Sequence, residues 1–278
     1  METTSLKSFH YLENGEITFS IIDTVKTEKK LDAGAYNLSY SAYPKYINIL
    51  TKISDEKIHK IHNFTDKDKI DTFFNSFFSE KTFKSIKDLG FIHKIGLLFY
   101  GKEGTGKTSI AKHYYNIAIE KHSAIAFYIN QYDENFMKCW EFISDIRKIQ
   151  DNPIFIIFEE FDGFLERNVN QLKSILDGNL SITNCVFFAS TNYINKIPDE
   201  IKNRESRFKF LINVEGIQNK SDVFDIVNKM LKDINTEEEI VEFSETLCGK
   251  TLDEIKHFCL DKIMTLPVYS KPKSKIGF

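Results

Sequence analysis

The chain has 278 residues, 42% hydrophobic and 28% charged, with a net charge of −3; this excludes disorder as the dominant state and allows one large domain or two ordinary ones. The near-even charge balance argues against a broad nucleic-acid footprint, and no apolar run approaches the roughly 18 residues of a membrane-spanning helix. Cys139, Cys185, Cys248 and Cys259 are widely spaced with no Cys-x-x-Cys, which speaks against a disulfide framework or a zinc site and fits a reducing cytosol.

No basic-then-apolar leader follows Met1, so a cytoplasmic chain with no membrane partner is expected. Among 37 basic residues only four are arginine, Arg147, Arg167, Arg204 and Arg207. Lysine cannot supply the planar guanidinium fork, so the places where this chain uses arginine are informative.

Residues 1–65 read as short β-segments divided by turn signals at Asn14–Gly15, Ala33–Gly34 and Pro44, a small β-rich N-terminal domain. A polar Asp/Lys stretch at 66–70 is the expected boundary. From about 69 to 88 the pattern is helical, with Phe73, Phe74, Phe77, Phe78 and Phe83 on one stripe. That stripe is either a docking surface or, more simply, packing against the next domain.

Strand and helix then alternate. Apolar strands are expected at Ile95–Tyr100, Ala124–Asn130, Ile154–Phe158, Cys185–Thr191 and Phe208–Val214. Helices are expected at Lys107 to about Glu120, Glu134–Ile149, Val169–Ile175 and Asp199–Asn203. Buried strands alternating with helices predict a three-layer α/β domain with a parallel sheet. From 221 onward only helices follow, and Thr236-x-x-Glu239 and Thr251-x-x-Glu254 are capping boxes that each start one. Residues 267–278 read as a frayed Lys/Ser tail.

Gly101-Lys-Glu-Gly104-Thr105-Gly106-Lys107-Thr108 is a full G-x-x-x-x-G-K-[ST] phosphate loop, entered by a strand and left by a helix. Its backbone N–H groups can curl around the α- and β-phosphates. Lys107 would reach the β/γ oxygens and the Thr108 hydroxyl would ligate Mg²⁺. The helix N-terminus adds its positive dipole end. The apolar run Ile154–Phe158 ends in Glu159-Glu160, where one carboxylate would hold Mg²⁺ through water and the next would polarise the attacking water. Asn192 follows the Cys185–Thr191 strand, either as a turn residue or as an amide orienting that water. In Arg204-Glu-Ser-Arg207-Phe208 two arginines stand three apart. Presented to a neighbouring subunit they would neutralise charge on the transferring phosphoryl group; otherwise they would pair locally with Glu200 or Glu205.

The order phosphate loop, apolar strand with two acids, Ser-Thr-Asn-Tyr and Arg-x-x-Arg-Phe resembles the AAA+ ATPases, most closely their AAA clade, over about residues 85–265. The resemblance implies a P-loop three-layer core with a five-stranded parallel sheet (residues 66–215) and a C-terminal helical lid (216–266). It implies ATP and Mg²⁺ as cofactors, with the nucleotide held between subunits of a homo-oligomeric, commonly hexameric, ring. It makes Lys107 and Thr108 the phosphate and Mg²⁺ ligands, Glu160 the catalytic carboxylate, Asn192 the sensor asparagine, and Arg204 and Arg207 trans-acting fingers. Asp88-Leu-Gly-Phe-Ile92 lies where the family's adenine-contacting loop lies.

Some positions depart from the family pattern. Lys102-Glu103 replaces Pro-Pro, Glu159 replaces Asp, and Gly249–Ile255 carries no second-sensor arginine. The segment 131–153, 23 residues, is short for a polypeptide-threading loop; Tyr132, Phe136 or Met137 could line a pore, and core packing is the expected role of Phe136 and Trp140. The leading expectation is an ATP-hydrolysing ring that remodels a protein partner held by the N-terminal domain. The alternatives are a DNA-replication ATPase of clamp-loader or helicase-loader type, for which Ser206-Arg207 and Glu159–Asp162 offer a resemblance, and a nucleotide-controlled assembly switch with little hydrolysis.

Overall fold

The computed structural model describes residues 8–11, 16–20, 30–41, 47–53, 64, 66–129 and 135–265. Tyr132 and the tail 267–278 lie outside them. The chain divides into two compact units, residues 1–103 with 107–214, and 215–278 with the loop residues 104–106.

The first unit is built on a nine-stranded sheet of order β1-β2-β4-β3-β6-β7-β8-β5-β9. Its strands are β1 (Ser8–Tyr11), β2 (Glu16–Ser20), β3 (Gly34–Ser41), β4 (Ile47–Lys52), β5 (Lys94–Tyr100), β6 (Ile125–Ile129), β7 (Ile154–Phe158), β8 (Cys185–Thr191) and β9 (Phe210–Asn213). Pairing is parallel from β3 through β6, β7, β8 and β5 to β9, and antiparallel among β1, β2, β4 and β3. Among the described residues the expected five parallel strands are therefore six. The expected N-terminal β-domain is not a separate body, because Gly34–Leu38 pairs in parallel with Ile125–Ile129 and carries the front strands onto the core sheet. Gln150 reinforces this join: its side-chain amide accepts from Leu31 N–H at 2.8 Å and donates to Leu31 C=O at 3.1 Å, both buried.

The central strands β5, β6, β7 and β8 are buried almost throughout, as continuous Ile/Phe/Val runs require when both faces are covered. Their side chains alternate between two cores. On one face Ile154, Ile156, Phe158, Phe127 and Phe187 pack with α4 (Phe136–Ile149) and α5 (Phe161–Leu176). Phe136 and Trp140 are in this core, and Trp140 Nε1 donates to Leu180 C=O at 3.1 Å. On the other face Phe155, Phe188 and Phe99 form a ladder across β7, β8 and β5, with ring centroids 5.9 and 5.5 Å apart and planes 13° from parallel. Against it pack α1 (Lys67–Phe77) and α3 (Lys107–His122), with Phe74 stacked on Tyr114 at 4.6 Å.

The phenylalanine stripe is thus packing rather than docking surface: Phe74 and Phe77 are buried, and Phe73 and Phe78 pack against the same core. It spans two helices, α1 and α2 (Glu80–Asp88), broken at Phe78–Ser79. The short α6 (Asp199–Lys202) precedes β9.

The second unit holds α7 (Lys220–Leu231), α8 (Glu237–Thr246) and α9 (Leu252–Met264) around Val223, Val227, Leu231, Ile240 and Ile255. Both predicted capping boxes form, Thr236 with Glu239 and Thr251 with Glu254, each side chain satisfying the other's backbone N–H.

Candidate functional site

Three loops leave the C-terminal ends of adjacent parallel strands, where open α/β sheets bind ligands. The phosphate loop follows β5, Glu159-Glu160 follows β7, and Asn192 follows β8, which lies between them. In register, Tyr100 stands opposite Thr191, and Phe158 opposite Ala189. Asn192 therefore stands one position past the Tyr100–Thr191 level beside β5 and three positions past the end of β7 at Phe158. Residues separated by tens of positions in sequence are collected at one edge by strand order.

In the phosphate loop Gly101 closes β5. Gly104 and Gly106 have φ of 76° and 96°, a left-handed backbone that a side chain would oppose. Thr105 is buried between them. Lys107 begins α3, and its ammonium donates to the carbonyls of Gly101 and Lys102 at 2.8 and 2.7 Å. Burial pulls its pKa below the ordinary lysine value, with the charge of Glu103 opposing. Thr108 sits half-buried in the first turn of α3.

Glu159 is half-buried, and its Oε1 is a buried oxygen with no hydrogen-bond partner among the described residues. A carboxylate oxygen without a donor is costly unless a cation serves it. Together with the Thr108 hydroxyl it makes the all-oxygen, single-carboxylate donor set that suits Mg²⁺, which keeps most of its waters and takes phosphate oxygens. The residues present fit the ion.

Glu160 is exposed and holds φ 48°, ψ 50° at the N-cap of α5. A left-handed glutamate is uncommon and costs about 1 kcal/mol or more. The sharp turn it makes sends the chain from β7 directly into α5, so this helix starts at Phe161, well before the expected Val169, with a kink at Asn168.

The two arginines of the 204–208 segment have different surroundings. Arg204 has a side chain 61% exposed, with Nη1 2.9 Å from Asp177 Oδ2. Arg207 is 6% exposed and grips the same carboxylate through Nε (3.0 Å) and Nη2 (3.1 Å), while Nη1 donates to Glu200 C=O at 2.7 Å. The local partner is therefore Asp177, not the carboxylates of Glu200 or Glu205, and of the pair only Arg204 has an exposed guanidinium. Burial would push the Asp177 pKa up. The hydrogen bonds and charge of Arg207, with Arg204 and Lys94, outweigh it and hold the carboxyl below its usual range. This cluster lies at the start of β5, where Lys94 Nζ donates to Ser206 C=O at 3.3 Å and Lys209 N–H donates to Gly96 C=O at 2.9 Å.

Two residues escaped the sequence reading. Asp177 ends α5 and has no motif spacing to mark it. Thr191, the last residue of β8 and 1% exposed, donates its hydroxyl to Asp162 Oδ1 at 2.7 Å. The segment Asp88–Ile92 requires a correction. It precedes β5 at the end away from the phosphate loop, with Leu89 and Phe91 71% and 69% exposed. The six strand steps from Lys94 to Tyr100 put it roughly 20 Å away, too far to hold a base whose phosphates lie on Gly101–Thr108.

Fold and loop motif define a three-layer α/β protein with a phosphate-loop sequence at the end of β5. Residues 97–216 match the family described as "ATPase family associated with various cellular activities (AAA)". Similar proteins include the peroxisomal ATPase PEX6 of Candida glabrata, 25% identical over 201 residues, 63% of this chain and 19% of that protein. The vesicle-fusing ATPase of Dictyostelium discoideum is 27% identical over 58% of this chain and 26% of its own length. The vesicular-fusion protein SEC18 of Saccharomyces cerevisiae is 27% identical over 58% and 24%. The chain thus spans about a fifth to a quarter of these relatives, and its similarity to AAA ATPases is carried by the matched region.

Proposed function

We propose that this chain binds and hydrolyses ATP with Mg²⁺ and works as a homo-oligomeric ring, a hexamer as in the resemblance, on a protein partner. The observation that carries the chemistry is the alignment of phosphate loop, Glu159-Glu160 and Asn192 on neighbouring strand ends. Lys107 and the loop N–H groups bind the phosphates, and Thr108 and Glu159 hold Mg²⁺, which when bound neutralises phosphate charge. Glu160 accepts the proton of the attacking water, and the Asn192 amide orients that water.

The need for a second copy rests on the arginines. Gly96, whose carbonyl bonds Lys209, is next to Arg207, and five strand steps, about 17 Å, separate it from Gly101. Arg204 therefore lies far from the phosphate loop of its own chain, but a neighbouring copy can receive it. Arg204 is the finger in this reading, and Arg207 fixes the loop that carries it. In this reading the front strands β1–β4 hold the protein partner.

The test combines trapping and mixing. Glu160→Gln with ATP and Mg²⁺ should form closed rings by light scattering and electron microscopy. Lys107→Ala and Arg204→Ala should each lack turnover, and an equimolar mixture should recover part of it. A Glu160→Gln protein that stays monomeric, or a mixture that stays inactive, overturns the ring reading.

A further inference from the structure

The three loops at the strand ends are not independent. The Thr191 hydroxyl donates to Asp162 Oδ1 at 2.7 Å, and its oxygen accepts from Tyr193 N–H at 2.9 Å. The second bond closes the turn at Asn192, which lies between the two residues. The first reaches across the strand spacing to a carboxylate two residues beyond Glu160, in the first turn of α5. Thr191 is 1% exposed and the Asp162 side chain 12%, so water competes little for either. The other oxygen of Asp162 stands 3.7 Å from Lys196 Nζ, on the far side of the same turn.

Helix-dipole stabilisation alone would explain an aspartate in the first turn of α5. It would not require that one oxygen be committed to a buried hydroxyl 29 residues away. Bonded in both directions, that hydroxyl joins the turn carrying Asn192 to the strained turn carrying Glu160, whose φ of 48° must be held by its surroundings.

We propose that Asp162 and Thr191 are a positioning pair for hydrolysis: they fix Glu160 and Asn192 relative to one another and set the rate of water attack without contributing to nucleotide affinity. Neither touches the phosphate loop in the sequence motif or in the bonds that define the pair. The inference rests on the ATPase reading above.

The experiment is steady-state hydrolysis together with binding of a fluorescent ATP analogue. Wild type should turn over in a manner lost in Lys107→Ala. Thr191→Val keeps shape and removes both hydrogen bonds; it should lower kcat roughly 10- to 100-fold, with KM and analogue affinity within about twofold. Thr191→Ser, which keeps the hydroxyl, should restore most of kcat. Asp162→Ala should match Thr191→Val, and the double variant should be no slower than either single one. Should Thr191→Val not fold, Asp162→Ala and Asp162→Asn carry the same comparison, the latter keeping an acceptor oxygen and most of the rate. Undiminished kcat in Thr191→Val or Asp162→Ala overturns the pair alone, as does loss of affinity in step with kcat. A wild type with no Lys107-dependent turnover overturns the functional reading and the pair together.

Discussion

Arg207 grips Asp177 through two bonds, Nε at 3.0 Å and Nη2 at 3.1 Å, while Arg204 meets the same carboxylate from its exposed side at 2.9 Å. One acid thus serves a buried arginine and a surface one. Lysine could not make the forked contact, which gives the scarcity of arginine a structural meaning. Arg147 has the same character, with Nη1 and Nη2 donating to the carbonyls of Gln150, Asn152 and Asn184.

Removing the two arginines should therefore have separable effects. Arg207→Ala leaves Asp177 without its buried partner and should cost about 3 kcal/mol. Arg204→Ala breaks an exposed pair and should cost under about 1 kcal/mol. Chemical denaturation measures both. Equal destabilisation by the two variants would contradict the assignment of different roles.

His93 should make the fold acid-sensitive. It is 2% exposed and stacked on Phe77 at 3.9 Å. Among the described residues neither ring nitrogen has a hydrogen-bond partner of good geometry, and burial, opposed by the Phe77 backbone, lowers its pKa to about 4. Below its unfolded value near 6.5 the unfolded chain takes up the proton first, so stability falls as pH drops from about 6.5 to 4, by on the order of 3 kcal/mol. His93→Phe should flatten that part of a stability-versus-pH curve measured by urea unfolding; an unchanged slope would show that other groups cause it.

The backbone at Glu160 sets stability against activity. Glu160→Gly relieves the left-handed strain and should raise stability by about 1 kcal/mol, a shift visible in thermal unfolding, while abolishing hydrolysis. A lower melting temperature would mean that the glutamate side chain repays the strain through contacts of its own.

Gly96 marks where β5 meets the arginine segment. A Cβ there would stand 1.9 Å from the Arg207 carbonyl oxygen and 2.9 Å from the Phe208 ring. Gly96→Ala should cost about 3 kcal/mol by forcing that backbone away and should weaken hydrolysis through displacement of Arg204. Calorimetry and turnover read the two effects.

Glu159 should govern the ion. Glu159→Gln removes the charge from a buried, unpartnered oxygen and should raise the Mg²⁺ concentration for half-maximal turnover roughly 10-fold. A titration curve that does not move would place the ion on other ligands.

Much of the molecule is local and could be read in advance. The strand Ile154–Phe158 has the expected bounds because a five-residue apolar run buried on both faces has few alternatives. Both capping boxes of the second unit form because the partners are three residues apart. Helix α5 began earlier than its polar stretch suggested because the turn at Glu160, a residue with no glycine-like signature, starts it.

The sequence by itself determined the phosphate loop, the strand–helix alternation and the acids and amide that follow the strands, since each is written in residues close along the chain. Only the tertiary structure decided that β3 joins the core sheet, that Arg207 is buried on Asp177 while Arg204 is exposed, and that Thr191 bonds Asp162. These contacts span 29 residues or more, and which of two similar side chains is buried depends on what strand order brings beside it. Local preferences carry no record of that neighbour.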